Sequence, residues 1–287
     1  MNLALFLAFG AMVSWGIGDF LIQRTVKKIG VLETLAWITG SSAIIMIPII
    51  IYRGIALNPQ DILFLTLLGV LTFVSGILDF KALSIGKLSV METIMAVELP
   101  LTIMLGVIAF NESLNSGQWL LVLMIFIGII FVSVNFKNLN SRDFLEKGSI
   151  LAIISGIVFA LVNFFSANLA KTIDPMIAIW FPWLACGIIS FIYISRFKKA
   201  HFKEFIKNSY QYWKLIALVS AIDLAAWLFY AFAVEKEELS ITIAITESYI
   251  VIALILGVII NKEKIRPLQY MGATLAIIGS IVIGLIS

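Results

Sequence analysis

Residues 82–110 read ALSIGKLSVMETIMAVELPLTIMLGVIAF, and residues 233–261 read AVEKEELSITIAITESYIVIALILGVIIN. The two stretches align without a gap at an offset of 151 residues, and both contain the tetrapeptide LGVI, at 105–108 and at 256–259. Self-similarity at half the chain length in an apolar sequence is typical of transporters built from two structural repeats. In such proteins the substrate site lies between the repeats, near the middle of the bilayer.

The composition excludes a soluble globular protein. The chain is 61% hydrophobic and 13% charged, with a mean hydropathy of +1.08, whereas soluble domains are about 45 to 50% apolar. Apolar runs of roughly 20 residues, the length that crosses a bilayer, indicate an all-α membrane protein with ten transmembrane helices. The predicted spans are 2–22, 31–51, 62–83, 89–110, 118–135, 150–169, 175–195, 214–234, 240–260 and 269–286.

The repeat divides the chain into a first five-helix unit at 1–137 and a second at 146–287. Because each unit has an odd number of spans, the second enters the membrane in the opposite sense, and the two repeats are predicted to be inverted. Two inverted bundles around a shared cavity can open it alternately to either side of the membrane.

Several short motifs resemble the drug/metabolite transporter superfamily, in particular its ten-helix EamA-type branch. They are Trp15-Gly16 in the first span and Glu112-Ser-Leu followed by Gln118. Glu263 and Gln269 are the counterparts of Glu112 and Gln118 in the second half. The resemblance implies secondary-active transport of small organic solutes, such as amino-acid-like compounds, sugars, nucleosides or drugs. It also implies coupling to protons or to exchange in many cases, and does not select one solute.

Basic residues are distributed unequally between the two ends of the predicted bundle. Sixteen of the 20 Lys and Arg residues fall on one face, and Arg53, Lys171 and Lys236 on the other. Lys and Arg favour cytoplasmic loops, which places the basic face inside a cell membrane and both termini outside. The family resemblance implies both termini inside, and the charge count is preferred here.

Residues 199–214 alternate aromatic and basic side chains, as in a helix on the lipid surface or a solvated loop.

Three acids near the middle of predicted spans are the main candidates for solute binding or proton coupling. They are Glu98, Asp223 and Glu247. An ionisable group at the centre of a span costs about 2.5 to 3.5 kcal/mol on insertion scales, so it defaults to a functional position facing the bundle interior. We expect at least one of the three to exchange protons during transport. Pro100 lies two residues after Glu98 and predicts a kink there.

Aromatic residues accompany two of these spans. Asp223, Trp227 and Tyr230 follow i, i+4, i+7 spacing and share a helix face, which suits an organic cation or a zwitterion. A packed aromatic stripe would show the same spacing.

The first span carries a second candidate face. Trp15 and Asp19 share one side of the helix, and at an offset of 144 residues Asn163 is the counterpart of Asp19. One half therefore offers an acid where the other offers an amide.

Other intramembrane charges have structural interpretations. Ser89 and Glu92 have the spacing of a capping box. Asp79 and Lys81 can neutralise one another or reach the membrane interface. Glu112 and Glu263 recur beside helix ends, where a loop-fixing role is expected.

The sequence argues against other classes of protein. It lacks a Gly-x-Ser-x-Gly nucleophile and a phosphate-binding Gly-x-x-x-x-Gly-Lys loop. One cysteine and one histidine are too few for zinc or nucleophilic chemistry. No cofactor, metal or nucleic-acid partner is therefore predicted. The expected partners are a small organic solute, protons and membrane lipid, while an uncoupled facilitator, a channel and a homodimer remain open alternatives.

Overall fold

The computed structural model describes residues 3–111, 115–133, 147–197 and 199–286, and these ranges form helices joined by short connections. The helices are α1 (Leu3–Ile29), α2 (Val31–Arg53), α3 (Pro59–Ile85), α4 (Leu88–Met95), α5 (Glu98–Phe110), α6 (Ser116–Ser133), α7 (Ser149–Thr172), α8 (Pro175–Phe197), α9 (Lys199–Gln211), α10 (Trp213–Lys236), α11 (Leu239–Thr246), α12 (Tyr249–Ile259) and α13 (Pro267–Ile286). Among the described residues there is no strand, so the all-α prediction is confirmed. Glu112 lies outside the described residues.

Eight helical segments in the described ranges are long and apolar enough to cross a membrane. Two of the eight are interrupted, because α4 with α5 forms the segment Leu88–Phe110 and α11 with α12 forms Leu239–Ile259. The apolar spans predicted at 89–110 and 240–260 are therefore present, but each consists of two helices and not one. Helices α6 and α13 are further apolar helices, and the count of ten spans remains a prediction.

The interruptions fall at the same place in the two halves. The first break is at 96–97 and the second at 247–248, which is the 151-residue offset of the sequence repeat. At each break the backbone hydrogen bonds shorten to three-residue spacing, as from the Val97 N–H to the Ile94 carbonyl and from the Ser248 N–H to the Ile245 carbonyl. An acid lies at each break, Glu98 directly after the first and Glu247 within the second.

The two halves pack through reciprocal pairs of helices. α1 packs along α10 and α3 along α7, while α4 contacts α12 and α5 contacts α11. α2 packs on α8, and α6 on α13. One hydrophobic core, which includes Leu83, Ile94 and Ile243, draws side chains from both halves. Neither half therefore encloses the core alone.

Polar contacts hold the two ends of the bundle in different ways. At the end formed by the α1–α2, α3–α4 and α12–α13 connections, the Gln23 amide donates to the Leu83 and Gly86 carbonyls and accepts from Asn261. At the opposite end, Arg53 at the end of α2 forms an ion pair with Asp174, which precedes α8. We call the first the basic end and the second the ion-pair end.

Glycines allow α6 and α13 to approach closely. A Cβ on Gly128 would lie 2.6 Å from the carbonyl oxygen of Gly272, and a Cβ on Gly272 would lie 2.5 Å from the carbonyl oxygen of Gly128. Small residues at such contacts let helices pack backbone to backbone within a bilayer.

We expect the substitution Gly128→Ala to lower the thermal unfolding midpoint of the purified protein. The added methyl group must separate α6 from α13, and overpacking costs about 1 to 3 kcal/mol, which exceeds the gain of about 1 kcal/mol in helix propensity. Gly18→Ala is the matched control, because its Cβ would meet only Ile222 Cγ2, at 3.7 Å. Equal midpoints for the two variants would contradict this packing.

Candidate functional site

A cavity lies between the two halves and is lined by residues of both. About 690 Å³ of space free of protein atoms lies between its walls, including the part that opens to solvent. Its walls come from α1, α2, α3, α7, α8 and α10 and from both helix breaks. The elements that the sequence repeat relates therefore meet at this cavity.

Five carboxylic acids line the cavity, and no Lys, Arg or His is among the described residues that do so. They are Asp19, Asp79, Glu98, Asp223 and Glu247. Three of them, Asp19, Asp79 and Asp223, lie in helix interiors, and Glu98 and Glu247 lie at the two helix breaks. The site therefore offers acceptor oxygens and negative charge without a basic partner.

Aromatic rings form much of the remaining wall. Trp15, Phe159 and Trp227 all line the cavity. The Trp15 and Trp227 ring centroids lie 5.2 Å apart with planes at 81°, and the Phe159 ring stacks on Trp227 at 6.4 Å. Trp183 on α8 and Tyr249 on α12 complete the aromatic lining. Acids beside aromatic faces provide a site for an organic cation.

Tyr230 stands behind this wall. Its side chain is fully buried, its ring lies 5.8 Å from Trp227 and 5.6 Å from Trp15, and its hydroxyl donates to the Asn163 carbonyl at 3.0 Å. The shared face of Asp223, Trp227 and Tyr230 is thus present, but only the first two line the cavity. Tyr230 positions the aromatic wall and links α10 to α7.

The Asn163 amide group joins α7 to the first helix break. Its Nδ2 donates to Glu98 Oε1. Glu98 is the first residue of α5, and Pro100 falls in the same turn, where its missing N–H leaves no helical hydrogen bond unmade. The kink predicted at Pro100 is therefore a complete break just before Glu98.

Three buried oxygens in the lining residues have no hydrogen-bond partner. They are Asp79 Oδ1, Asn163 Oδ1 and Glu247 Oε2. A buried acceptor without a donor costs about 1 to 3 kcal/mol. A solute that carries N–H groups would supply the donors that these oxygens lack.

Two interpretations from the sequence are wrong. Ser89 and Glu92 do not form a capping box, because the residue before α4 is Lys87 and makes no side-chain cap. Asp79 and Lys81 do not neutralise one another within the bundle, because Asp79 is buried at the cavity while Lys81 is exposed. Asp79 shares a face with Thr72 and Gly76, at i, i+4, i+7 spacing, and that pattern could have revealed it.

The loop-fixing role expected of Glu263 is present. Its carboxylate accepts from the backbone N–H groups of Leu88 and Ser89, at 2.8 and 2.9 Å, and from the Ser89 hydroxyl at 2.6 Å. An anion at this position compensates the unpaired N–H groups that begin α4. A residue of the second half thereby fixes the first half.

The fold and the cavity define a multi-pass integral membrane protein with a solute-sized site at its centre. The model of the EamA-like transporter family matches residues 2–134 and again residues 146–285, so the chain belongs to that family and is a membrane transporter. The two matches establish that the halves are copies of one module.

Two known proteins are similar to the chain. The first, described as Uncharacterized protein MJ1333.1 of Methanocaldococcus jannaschii, is 27% identical over 139 residues, which are 47% of this chain and 99% of that relative. The second is a crystal structure described only as that of a protein, with a TM-score of 0.68, 14% identity and 99% coverage of both chains. At that identity the second similarity concerns the fold alone.

We expect cationic reagents to enter the cavity more readily than anionic reagents. In a Cys186→Ala background, Thr72→Cys on the cavity wall should react with a cationic methanethiosulfonate reagent faster than with an anionic reagent of similar size. The ratio of the cationic to the anionic reaction rate should be about tenfold higher at Thr72→Cys than at Gln60→Cys, which lies on an exposed turn of α3. A tenfold difference corresponds to about 1.4 kcal/mol of favourable electrostatic free energy for the cation. Equal ratios at the two positions would mean that the carboxyl groups do not set the potential of the site.

Proposed function

We propose that this chain is a secondary-active carrier for small organic solutes that bear a positively charged nitrogen, either organic amines or amino-acid-like zwitterions. The observation that carries the proposal is the cavity with five carboxyl groups, stacked aromatic rings and no basic lining residue among those described. Sugars and neutral nucleosides would leave these carboxyl groups without a counter-charge. The aromatic faces add cation–π attraction of about 0.5 to 2 kcal/mol.

We propose that Glu98, Asp223 and Glu247 act on the solute directly. Glu98 and Glu247 lie at the two helix breaks, and Asp223 lies one turn from Trp227. The unpartnered Glu247 Oε2 accepts a solute N–H, Asp223 and Trp227 hold the cationic group, and Asn163 orients Glu98 through its amide hydrogen bond. Asp19 and Asp79 add negative potential.

Alternating access follows from the difference between the two ends. A second cavity at the basic end is lined by residues of α1, α2, α3, α8 and α9. It includes Val26, Val31 and Ser84, each four residues from a residue that lines the central cavity. The two cavities therefore follow the same helix faces. At the other end the Arg53–Asp174 ion pair joins α2 to α8.

We propose that this arrangement is the state open toward the basic end, with the ion-pair end closed. In the alternative state, α2 and α8 move apart at the ion-pair end, where the Arg53–Asp174 pair joins them. At the basic end the same two helices move toward each other. The reciprocal packing of the halves supports inverted repeats with ten spans, since the contact of α1 with α10 is the counterpart of the contact of α7 with α3. With the basic end in the cytoplasm of a cell membrane, the site opens inward.

Proton coupling follows from the electrostatics of the site. Four of the five carboxyl groups are buried and Asp19 is partly buried. The five cannot all keep their charge without a counter-ion, because ionised groups in a low-dielectric interior repel and lack hydration. Protons and a cationic solute then compete for the same carboxyl groups. Competition of this kind produces exchange of solute against protons. An uncoupled facilitator is the second candidate, and would use the acids only to hold solute.

The amide variants Glu98→Gln, Asp223→Asn and Glu247→Gln separate these mechanisms. Each keeps the shape of the side chain and removes its charge and its titration. We expect at least one variant to lose proton-driven uptake of phenethylamine in proteoliposomes and to flatten the pH dependence of transport.

Glu204→Gln, on the exposed surface of α9, is the matched control. Wild-type uptake and an unchanged pH profile in all three amide variants would exclude coupling through these acids.

A further inference from the structure

Glu92 is a buried acid that the solute cavity does not use. It lies within α4, its side chain is 1% exposed, and it is absent from the residues that line the cavity. Its Oε2 accepts a hydrogen bond from the Tyr249 hydroxyl at 2.9 Å, and its Oε1 has no hydrogen-bond partner. A structural carboxylate would be expected to have both oxygens satisfied.

Tyr249 separates Glu92 from the cavity and also connects the two. The tyrosine lines the cavity, and its ring lies 6.3 Å from Trp15, while its hydroxyl points to Glu92. A hydroxyl can donate one hydrogen bond and accept another, so a phenol in this position can pass a proton.

On its other side Glu92 approaches the basic end. Glu263 caps α4 at Leu88 and Ser89, and Ser89 is three residues, or about 4.5 Å of helix rise, before Glu92. Glu263 is partly exposed, and it acts electrostatically on Glu92. Glu92 therefore lies between the capped start of α4 at the basic end and Tyr249 at the cavity wall.

The charged groups around Glu92 are acids on several elements. Asp19 on α1, Asp79 on α3, Glu98 on α5 and Glu247 after α11 all interact electrostatically with it. Helix α6 contributes no titratable group, and the one Lys of α7, Lys171, stands at the far end of its helix beside Phe110. Lys87, at the start of α4, donates to the Lys264 carbonyl at 2.8 Å, and no ion pair to Glu92 occurs among the described residues.

We propose that Glu92 is a proton-binding site distinct from the solute site, with Tyr249 as the link through which the two exchange charge. The inference rests on the proposed function for its role in coupling. Glu92 takes up a proton from the basic end, where α4 begins. It releases the proton toward the cavity when the solute departs and the cavity carboxyl groups regain their negative charge. No bond other than the O–H bonds forms or breaks.

The first test needs no solute. Infrared difference spectra of the purified protein in lipid, recorded on a change of pH, report carboxyl groups that gain or lose a proton. Glu92→Gln should remove one titrating carboxyl band and leave the rest, while Glu204→Gln should leave every band from the membrane interior. Spectra of Glu92→Gln that superimpose on the wild type would overturn the proposal.

The second test measures coupling. A gradient of one pH unit supports about tenfold accumulation per proton exchanged. Glu92→Gln should abolish proton-driven accumulation of phenethylamine and retain phenethylamine counterflow, in which no net proton movement is needed. Glu92→Asp should restore part of the accumulation. Loss of both accumulation and counterflow in Glu92→Gln would assign Glu92 to solute binding or folding, against the proposal.

The two proposals fail in different ways. A wild-type protein that shows no counterflow of amines contradicts the proposed solute class, and the infrared test of Glu92 still decides whether it binds a proton. A wild-type protein that shows counterflow without proton-driven accumulation contradicts coupling, and with it the role of Glu92 as a coupling site.

Discussion

The need to keep carboxyl groups inside a bilayer without basic partners is the constraint on which the structure depends. Each such group needs a proton, a cation or hydrogen-bond donors to remain there. The amide of Asn163 and the hydroxyl of Tyr249 each supply one donor, to Glu98 and to Glu92. The oxygens that they leave unsatisfied face a cavity or lie directly behind its wall. In the proposed mechanism, the same shortage of donors that would destabilise a rigid protein is what binds protons and cationic solutes.

The two halves share the positions of their helix breaks but differ in the side chains that they place there. The breaks occupy the same register in both halves, but the second half has Tyr249 where the first has Glu98, and Glu247 where the first has Ala96. Similarly, Asp19 of α1 is an acid, whereas its counterpart Asn163 in α7 is an amide. At these positions the first half carries two acids, whereas the second half carries one acid together with an amide and a phenol. A solute held between them meets two different surfaces, so the two halves can share one geometry and bind two ends of an asymmetric molecule.

Most of the fold was predictable from the sequence, because the apolar runs and the repeat are long signals. The helix breaks were harder. Pro100 marked the first as a kink, but no proline or glycine marks the second, at 247–248, and only its register with the first could have indicated it. Seven of the eight predicted site residues do line the cavity, with Tyr230 behind it. Asp79 was missed because depth was judged from the end of a predicted helix that in fact continues to Ile85. Glu92 was assigned to a cap by a spacing that also occurs without one, and its partner Tyr249 is 157 residues away.

Counterflow of a matched pair of solutes tests the central claim most directly. Proteoliposomes containing the wild-type chain are loaded with phenethylamine or with its N-acetyl derivative, which keeps the aromatic ring and lacks the positive charge. If the acid cluster selects cationic nitrogen, internal phenethylamine accelerates entry of external labelled phenethylamine, and the N-acetyl derivative neither enters nor accelerates entry. Equal counterflow of the two compounds would show that the carboxyl groups do not select the solute, and would contradict the account.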